Sequence, residues 1–152
     1  MIALVQVVKN AQCVVNDTKI SEIRNGMLIY LGVGNEDGIN DEIYLSKKIS
    51  KLRIFPDREG KINQSITDIE GDIMVISNFT LFGDTAKNNR PSFINAADYD
   101  TGLVYYEGFC NALEKLTGLE IKRGVFGSDM EINAVQSGPT NLIINTKGKH
   151  YN

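Results

Sequence analysis

The sequence predicts one mixed α/β domain: a partly closed, barrel-like β-sheet with two main helices packed outside it. Three observations support this. Strand-like segments outnumber helical ones and bracket them. Only two segments carry a helical apolar period. The 152 residues contain no internal repeat, low-complexity tract or linker that would divide them. The domain is expected over residues 1–146, with a polar tail over 147–152.

The elements follow in order. Ile2 to Val8 is a β-branched apolar run, too short for a typical helix and suited to a strand. Gln12 to Asn16 reads as a second short strand, and Asn16-Asp17 as a turn. Met27 to Gly34 is a buried strand running into a glycine-rich loop. Asp37 or Asn40 is placed to cap the first helix, Asp41 to Leu52, which turns Ile43, Tyr44, Leu45, Ile49 and Leu52 inward. Lys47, Lys48 and Lys51 fall off that face, as a solvated surface or as a phosphate-contacting patch extended by Arg53, Arg58 and Lys61. Phe55 to Gly60 is a turn, Ile73 to Ile76 a buried strand, and Asp84 to Phe93 a polar surface loop. Asp98 or Asp100 caps the second helix. It carries Leu103, Tyr106, Phe109, Cys110, Leu113 and Leu116 inward, and Gly118 stops it. Ile121 to Phe126, Glu131 to Gln136 and Asn141 to Asn145 read as closing strands, and Thr146 to Asn152 as a frayed polar end.

Composition excludes several chemistries. Sixteen Lys+Arg against nineteen Asp+Glu give a formal charge of -3, which argues against nucleic-acid binding by bulk charge. One histidine, His150, is a poor basis for a Ser-His-Asp or Cys-His engine. With Cys13 and Cys110 it supplies too few ligands for zinc. The two cysteines are far apart and read as small core residues rather than a disulfide. Gly32-Val33-Gly34 lacks the rest of a dinucleotide or P-loop motif, and Glu36-Asp37 and Asp41-Glu42 look like helix-start charges. No cofactor or metal is expected. With no basic leader and no long apolar run, the chain reads as soluble and cytoplasmic.

Three segments place polar residues beside apolar strands. Ser77-Asn78-Phe79-Thr80 follows a strand at its C-terminal end, where α/β folds place ligands. It offers two hydroxyls, an amide and an aromatic wall, though such residues are commonly bound to backbone. Ser137-Gly138-Pro139-Thr140 reads as a turn, and the carbonyls around Pro139 suit a substrate ammonium. Val125 to Met130 contains Phe126 and Met130, which suit a pocket wall or plain core.

In this order and spacing the three segments resemble the D-aminoacyl-tRNA deacylase family, also called the D-tyrosyl-tRNA deacylases. The resemblance extends over essentially the whole chain. Its other carriers are Ile2 to Val8, Lys51 to Phe55, Gly60 to Asn63, and Arg90-Pro91-Ser92-Phe93. It implies a hydrolase that splits the ester between a D-amino acid, or glycine mischarged on tRNA-Ala, and the tRNA 3′ end. This is chirality proofreading in translation. It also implies a homodimer in which the Gly138-Pro139 turn, with a cis peptide, enters the partner's pocket and excludes L side chains. Ser77 and Thr80 would then flank the scissile ester as catalytic residues, with Asn78, Phe79, Phe126 and Met130 binding substrate. The N–H groups of Phe79 and Thr80 are the expected oxyanion donors.

The chain departs from the family pattern at Val7, Asn78, Gln136 and Thr140-Asn141. Val7 stands at a usual arginine that braces the Gly-Pro turn, a role valine cannot take. With no histidine nearby, two routes remain open: Thr80 as nucleophile, or the ribose 2′-OH assisting water. The rival readings are a catalytically weakened tRNA-binding or dimeric module, and an esterase of other acyl substrates. Lys47, Lys48, Lys51, Lys87 and Arg90 are the candidate RNA contacts.

Overall fold

A computed structural model of the chain describes residues 1–148. His150 and most of the expected tail lie outside the described residues. The chain forms β1 (Ile2–Val15), β2 (Thr18–Ile23), β3 (Gly26–Gly32), α1 (Ile39–Ser50), β4 (Arg53–Pro56), β5 (Ile62–Ser65), β6 (Asp72–Ser77), α2 (Tyr99–Thr117), β7 (Ile121–Arg123) and β8 (Glu131–Asn145). The main sheet runs β2-β1-β3-β6-β7, with β8 also paired to β1. β3, β6 and β7 are parallel, and β1 is antiparallel to each of its neighbours. The β4–β5 hairpin stands apart.

β1 organises the sheet. Its first half pairs with β3, from Ile2↔Gly32 to Val8↔Gly26, and its second half with β2, from Ala11↔Ile23 to Val15↔Thr18. β8 pairs with β1 along both halves. The Ser21 hydroxyl donates to the Arg123 carbonyl at 2.9 Å, fastening β2 to β7 at the far end of the strand order. The sheet therefore curls toward closure, and the expected partly closed sheet with two external helices is present.

Period-two alternation sends successive residues to two cores. Met27, Ile29, Leu31, Ile73 and Val75 face the helices, meeting Leu45, Ile49, Tyr106, Phe109, Cys110 and Leu113. Leu28, Met74 and Ile76 face the inside of the curl with Val8, Ala11, Cys13 and Ile23. Both cysteines are buried thiols, and burial pushes the Cys110 thiol up to about 12. They serve as core residues.

Several local expectations are corrected. The two opening strands are one, because irregular pairing at Gln6/Val8 and Val8/Asn10 carries the strand past the exposed Lys9-Asn10 pair. Asn16 and Asp17 do form the turn, both at positive φ, and it leads into the unforeseen β2. Neither Asp37 nor Asn40 caps α1. Gly38 occupies the N-cap, and the Asp41 carboxylate accepts its N–H at 2.9 Å. Ile43 and Tyr44 are exposed, while Glu42, Ser46 and Ser50 are buried. α2 is capped by Asp98 and ends at Gly118 in the left-handed region, as expected, but Leu116 is exposed. The strand expected over Ile121 to Phe126 stops at Arg123. The last two expected strands are one strand, β8, which contains Ser137–Thr140.

The start of the expected tail is tied down. Thr146 N–H donates to the Met1 carbonyl at 2.9 Å, and the Met1 ammonium donates to the Thr146 hydroxyl at 2.6 Å. That ammonium also pairs with Asp37 at 2.6 Å, with the two side chains 0% and 2% exposed. Lys147 reaches Asp41 at 3.0 Å. Two cations and two carboxylates thus join β1, the start of α1 and the end of β8.

Candidate active site

β3 and β6 run parallel and end together, with Leu31 opposite Ser77. Beyond that edge the Asn78 N–H donates to the Leu31 carbonyl at 2.8 Å, and the chain enters a 3₁₀ turn over Phe79–Phe82. A cavity of about 520 Å³ opens here. Leu31 and Val33 line it from the β3 side, Ser77 to Thr80 from the strand end, Ala97, Asp98, Tyr99 and Gly102 from the start of α2, and Phe126 to Asp129 from the loop after β7.

The aromatic wall is fixed by packing. Phe126 sits edge-on to Tyr99 at 5.2 Å between ring centroids and tilted against Tyr106 at 5.4 Å. A Cβ on Gly102 would come within 3.2 Å of the Phe126 ring, so glycine there lets the ring approach α2. The buried Tyr106 hydroxyl donates to the Val75 carbonyl at 2.8 Å, and burial raises its pKa far above the usual tyrosine range. It acts as a neutral strut. At the mouth, Phe79 is 57% exposed and packs edge-on against Phe93 at 5.1 Å.

The polar side has a definite bonding pattern. Asn78 Oδ1 accepts the Thr80 N–H at 3.1 Å and also the Thr80 hydroxyl. The Thr80 N–H, expected as an oxyanion donor, is therefore already taken by a side-chain cap.

Of the sequence-derived site residues, Ser77, Asn78, Phe79, Thr80 and Phe126 converge on this cavity. Met130 does not join them. It packs against the inner core of the curl, the cluster that holds Val8, Cys13 and Met74. Gly138 and Pro139 also lie off the cavity of their own chain. Gln6 pairs with Asn141 and Val8 with Gln136, so Ser137–Thr140 bulges from β8 opposite Val7. The Gly138–Pro139 peptide is cis, and both residues are exposed. Val7, one of the expected departures from the family pattern, is buried in the helix-side core.

Tyr99, Asp98 and Asp129 line the cavity and were missed in the sequence. Asp98 is legible only as a cap: hydrogen bonds from the Thr101 N–H and hydroxyl hold its carboxyl below the usual range. Asp129 carries no signal beyond its place beside Phe126. Among the described residues no group of His, Cys, Asp and Glu is arranged to hold a metal ion, and no helix is long and apolar enough to cross a membrane.

The family model for D-Tyr-tRNA(Tyr) deacylase matches residues 4–145, and the chain belongs to that family. A D-aminoacyl-tRNA deacylase of Porphyromonas gingivalis is 42% identical over 149 residues, covering 98% of this chain and 99% of the relative. One of Thermosipho africanus is 42% identical, covering 97% and 98%. Among solved structures, a c-Myc DNA unwinding element binding protein superposes with a TM-score of 0.91 at 32% identity, covering 97% of this chain and all of its own. A probable eukaryotic D-amino acid tRNA deacylase shares the fold, with a TM-score of 0.76 at 20% identity, over 94% and 97%.

Proposed function

We infer that this chain hydrolyses the ester joining a D-amino acid to the 3′ end of tRNA, releasing free D-amino acid and tRNA. The observation that carries the reading is the cavity in which Ser77–Thr80 faces the fixed Phe126 wall. Water attacks the ester carbonyl carbon, the bond to the ribose oxygen breaks, and that oxygen takes a proton. The Thr80 hydroxyl donates to an amide oxygen, which is no base, so nothing there activates it as a nucleophile. The route favoured is assistance by the neighbouring ribose 2′-OH, with the protein supplying position. The Phe79 N–H is the candidate oxyanion donor, since the Thr80 N–H is engaged.

The working unit in this reading is a homodimer. The exposed Gly138-Pro139 bulge cannot filter substrate in the cavity of its own chain, so a second copy must present it. The exposed Val135, Leu142 and Ile143 on β8 offer apolar surface for that pairing. The bulge acts by exclusion, which admits D-amino acids and achiral glycine and rejects L side chains. The activity belongs with translation in the cytoplasm.

Deacylation of D-, L- and glycyl-tRNA by the purified protein tests the reading. Cleavage of D-aminoacyl- and glycyl-tRNA with the L substrate spared is expected. Equal cleavage of both chiralities argues against the filter. Cleavage of none favours a binding module that has lost its chemistry.

A further inference from the structure

The candidate cations fall into two groups, one at and beyond the end of α1 and one in the loop after the 3₁₀ turn. α1 begins beside the cavity: Gly34 bridges to Ala96, Val33 accepts the Ala97 N–H at 2.9 Å, and the Asp37 carboxylate accepts the Gly34 N–H at 2.6 Å. The chain must then return to the start of β6, where Asp72 pairs with Gly26 at the beginning of β3. α1 therefore runs away from the cavity. At ~1.5 Å per residue its last-turn lysines, Lys47 and Lys48, lie roughly 12–14 Å further along the axis. Lys51 and Arg53 follow directly after α1, Arg58 and Lys61 lie at the turn of the β4–β5 hairpin, and Arg53 is bonded to Asn63 and Lys61 to Glu59.

Lys87 and Arg90 sit differently. Their loop leaves the 3₁₀ turn that walls the cavity, and Asp84 and Ser92 exchange backbone hydrogen bonds at 2.8 and 2.9 Å across its base. Its downstream foot is pinned at the cavity mouth by Phe93 against Phe79. Beyond Phe93, the Ile94 and Asn95 carbonyls accept hydrogen bonds from Asn35 at 3.1 and 3.0 Å. Arg90 lies three residues from Phe93 and Lys87 three from Asp84, spans of at most ~11 Å each. Both side chains are exposed, and neither is in an ion pair among the described residues. The one acid of the loop, Asp84, stands at its base, exposed, and accepts the Ala86 N–H at 2.8 Å, so the two cations outnumber it.

We propose that Lys87 and Arg90 form a phosphate clamp that seats the single-stranded 3′ end of the tRNA over the cavity, while the lysines of α1 take no part. The inference rests on the deacylase reading for its ligand. It explains how an acidic protein holds an RNA end: two cations on a short arm fixed to the lip of the site neutralise backbone charge where the ester must be delivered. These are positioning residues, and they touch no reacting atom.

The test pairs two double variants, Lys87→Ala/Arg90→Ala and Lys47→Ala/Lys48→Ala, with two substrates. One substrate is D-tyrosyl-tRNA. The other is D-tyrosyl-adenosine, which carries the ester but no phosphate. Binding of uncharged tRNA is titrated across salt in parallel. The loop variant is expected to raise KM for D-tyrosyl-tRNA about tenfold and to flatten the logarithmic salt dependence of tRNA binding by ~1.4, or ~0.7 for each single-strand phosphate contact. Its turnover of D-tyrosyl-adenosine should match wild type, and the α1 variant should match wild type throughout. An unchanged salt slope in the loop variant, or an equal loss in the α1 variant, overturns the clamp. An equal loss on D-tyrosyl-adenosine also overturns it, because that would be damage to the site itself. Failure of the deacylase reading would show separately, as wild type inert toward both esters.

Discussion

One oxygen of Asn78 holds both the backbone N–H and the hydroxyl of Thr80. Thr80, the threonine that lines the cavity, is therefore a donor to a neutral amide and pinned in place. Thr80→Ala is expected to keep turnover within about tenfold of wild type, and no acyl-enzyme should accumulate in wild type. Rapid quench with labelled D-aminoacyl-tRNA decides this: a trapped acyl-threonine would restore Thr80 as nucleophile.

Asp129 is the carboxylate at the cavity whose role the bonding pattern leaves open. If the ribose hydroxyl assists water, Asp129→Asn should leave kcat near wild type at neutral pH. A loss of 10²–10⁴-fold, the range typical of general-base removal, would instead assign the proton to the protein.

Gly138 stands at φ +112°, and a Cβ there would meet the Thr140 hydroxyl oxygen at 2.6 Å and its nitrogen at 2.8 Å. Gly138→Ala must therefore reshape the bulge, since both the backbone region and the space are closed to a side chain. Discrimination between D- and L-aminoacyl-tRNA should fall, while melting of the monomer fold changes little. Unaltered discrimination would remove the bulge from the site.

The Met1–Asp37 pair is buried on both sides. Asp37→Asn strands an ammonium out of water and should cost ~3–5 kcal/mol in chemical denaturation. A change below ~1 kcal/mol would mean that the Thr146 hydroxyl alone satisfies the ammonium.

The same cluster sets a pH dependence. Burial works against the Asp41 carboxylate, yet hydrogen bonds from Thr146, the Gly38 N–H and Lys147 outweigh it and bring its pKa from 3.8 down to about 2. A depressed acid contributes stability that is present above its unfolded pKa and lost as pH falls toward 2. Burial lowers the Met1 amine below 8.0, so stability should also rise with pH as that group deprotonates in the folded state before it does in the unfolded one. Denaturation across pH 2–9 should show both limbs, and Asp41→Asn should flatten the acid one while steepening the other, because Asp41 holds the Met1 amine up.

Much of this architecture is written locally, and the exceptions have physical causes. The continuous apolar runs of β3 and β6, the Asn16-Asp17 turn, the Asp98 cap and the Gly118 stop each depend on neighbours a few residues away, so the sequence shows them. β1 and β8 read as broken strands because exposed or turn-forming residues interrupt them, and only their pairing with each other restores continuity. Asp37 reads as a cap because its true partner, the Met1 ammonium, is distant in sequence. Met130 sits close to Phe126 in sequence, but the chain between them leaves it packed on the inner core of the curl while Phe126 faces the cavity. Ser77, Asn78, Phe79 and Thr80 were visible as polar residues ending an apolar strand. Tyr99 and Asp129 were not, since only the folded chain brings them beside that strand end.

The bulge on β8 is anchored on both sides by rungs to β1, Gln6↔Asn141 and Val8↔Gln136, with a single residue, Val7, between them. Its placement is thus metered by residue count along β1, not by what residue 7 is. A one-residue insertion or deletion between Gln6 and Val8 would slip the ladder and carry the bulge out of alignment, so gaps should be absent there even where letters vary.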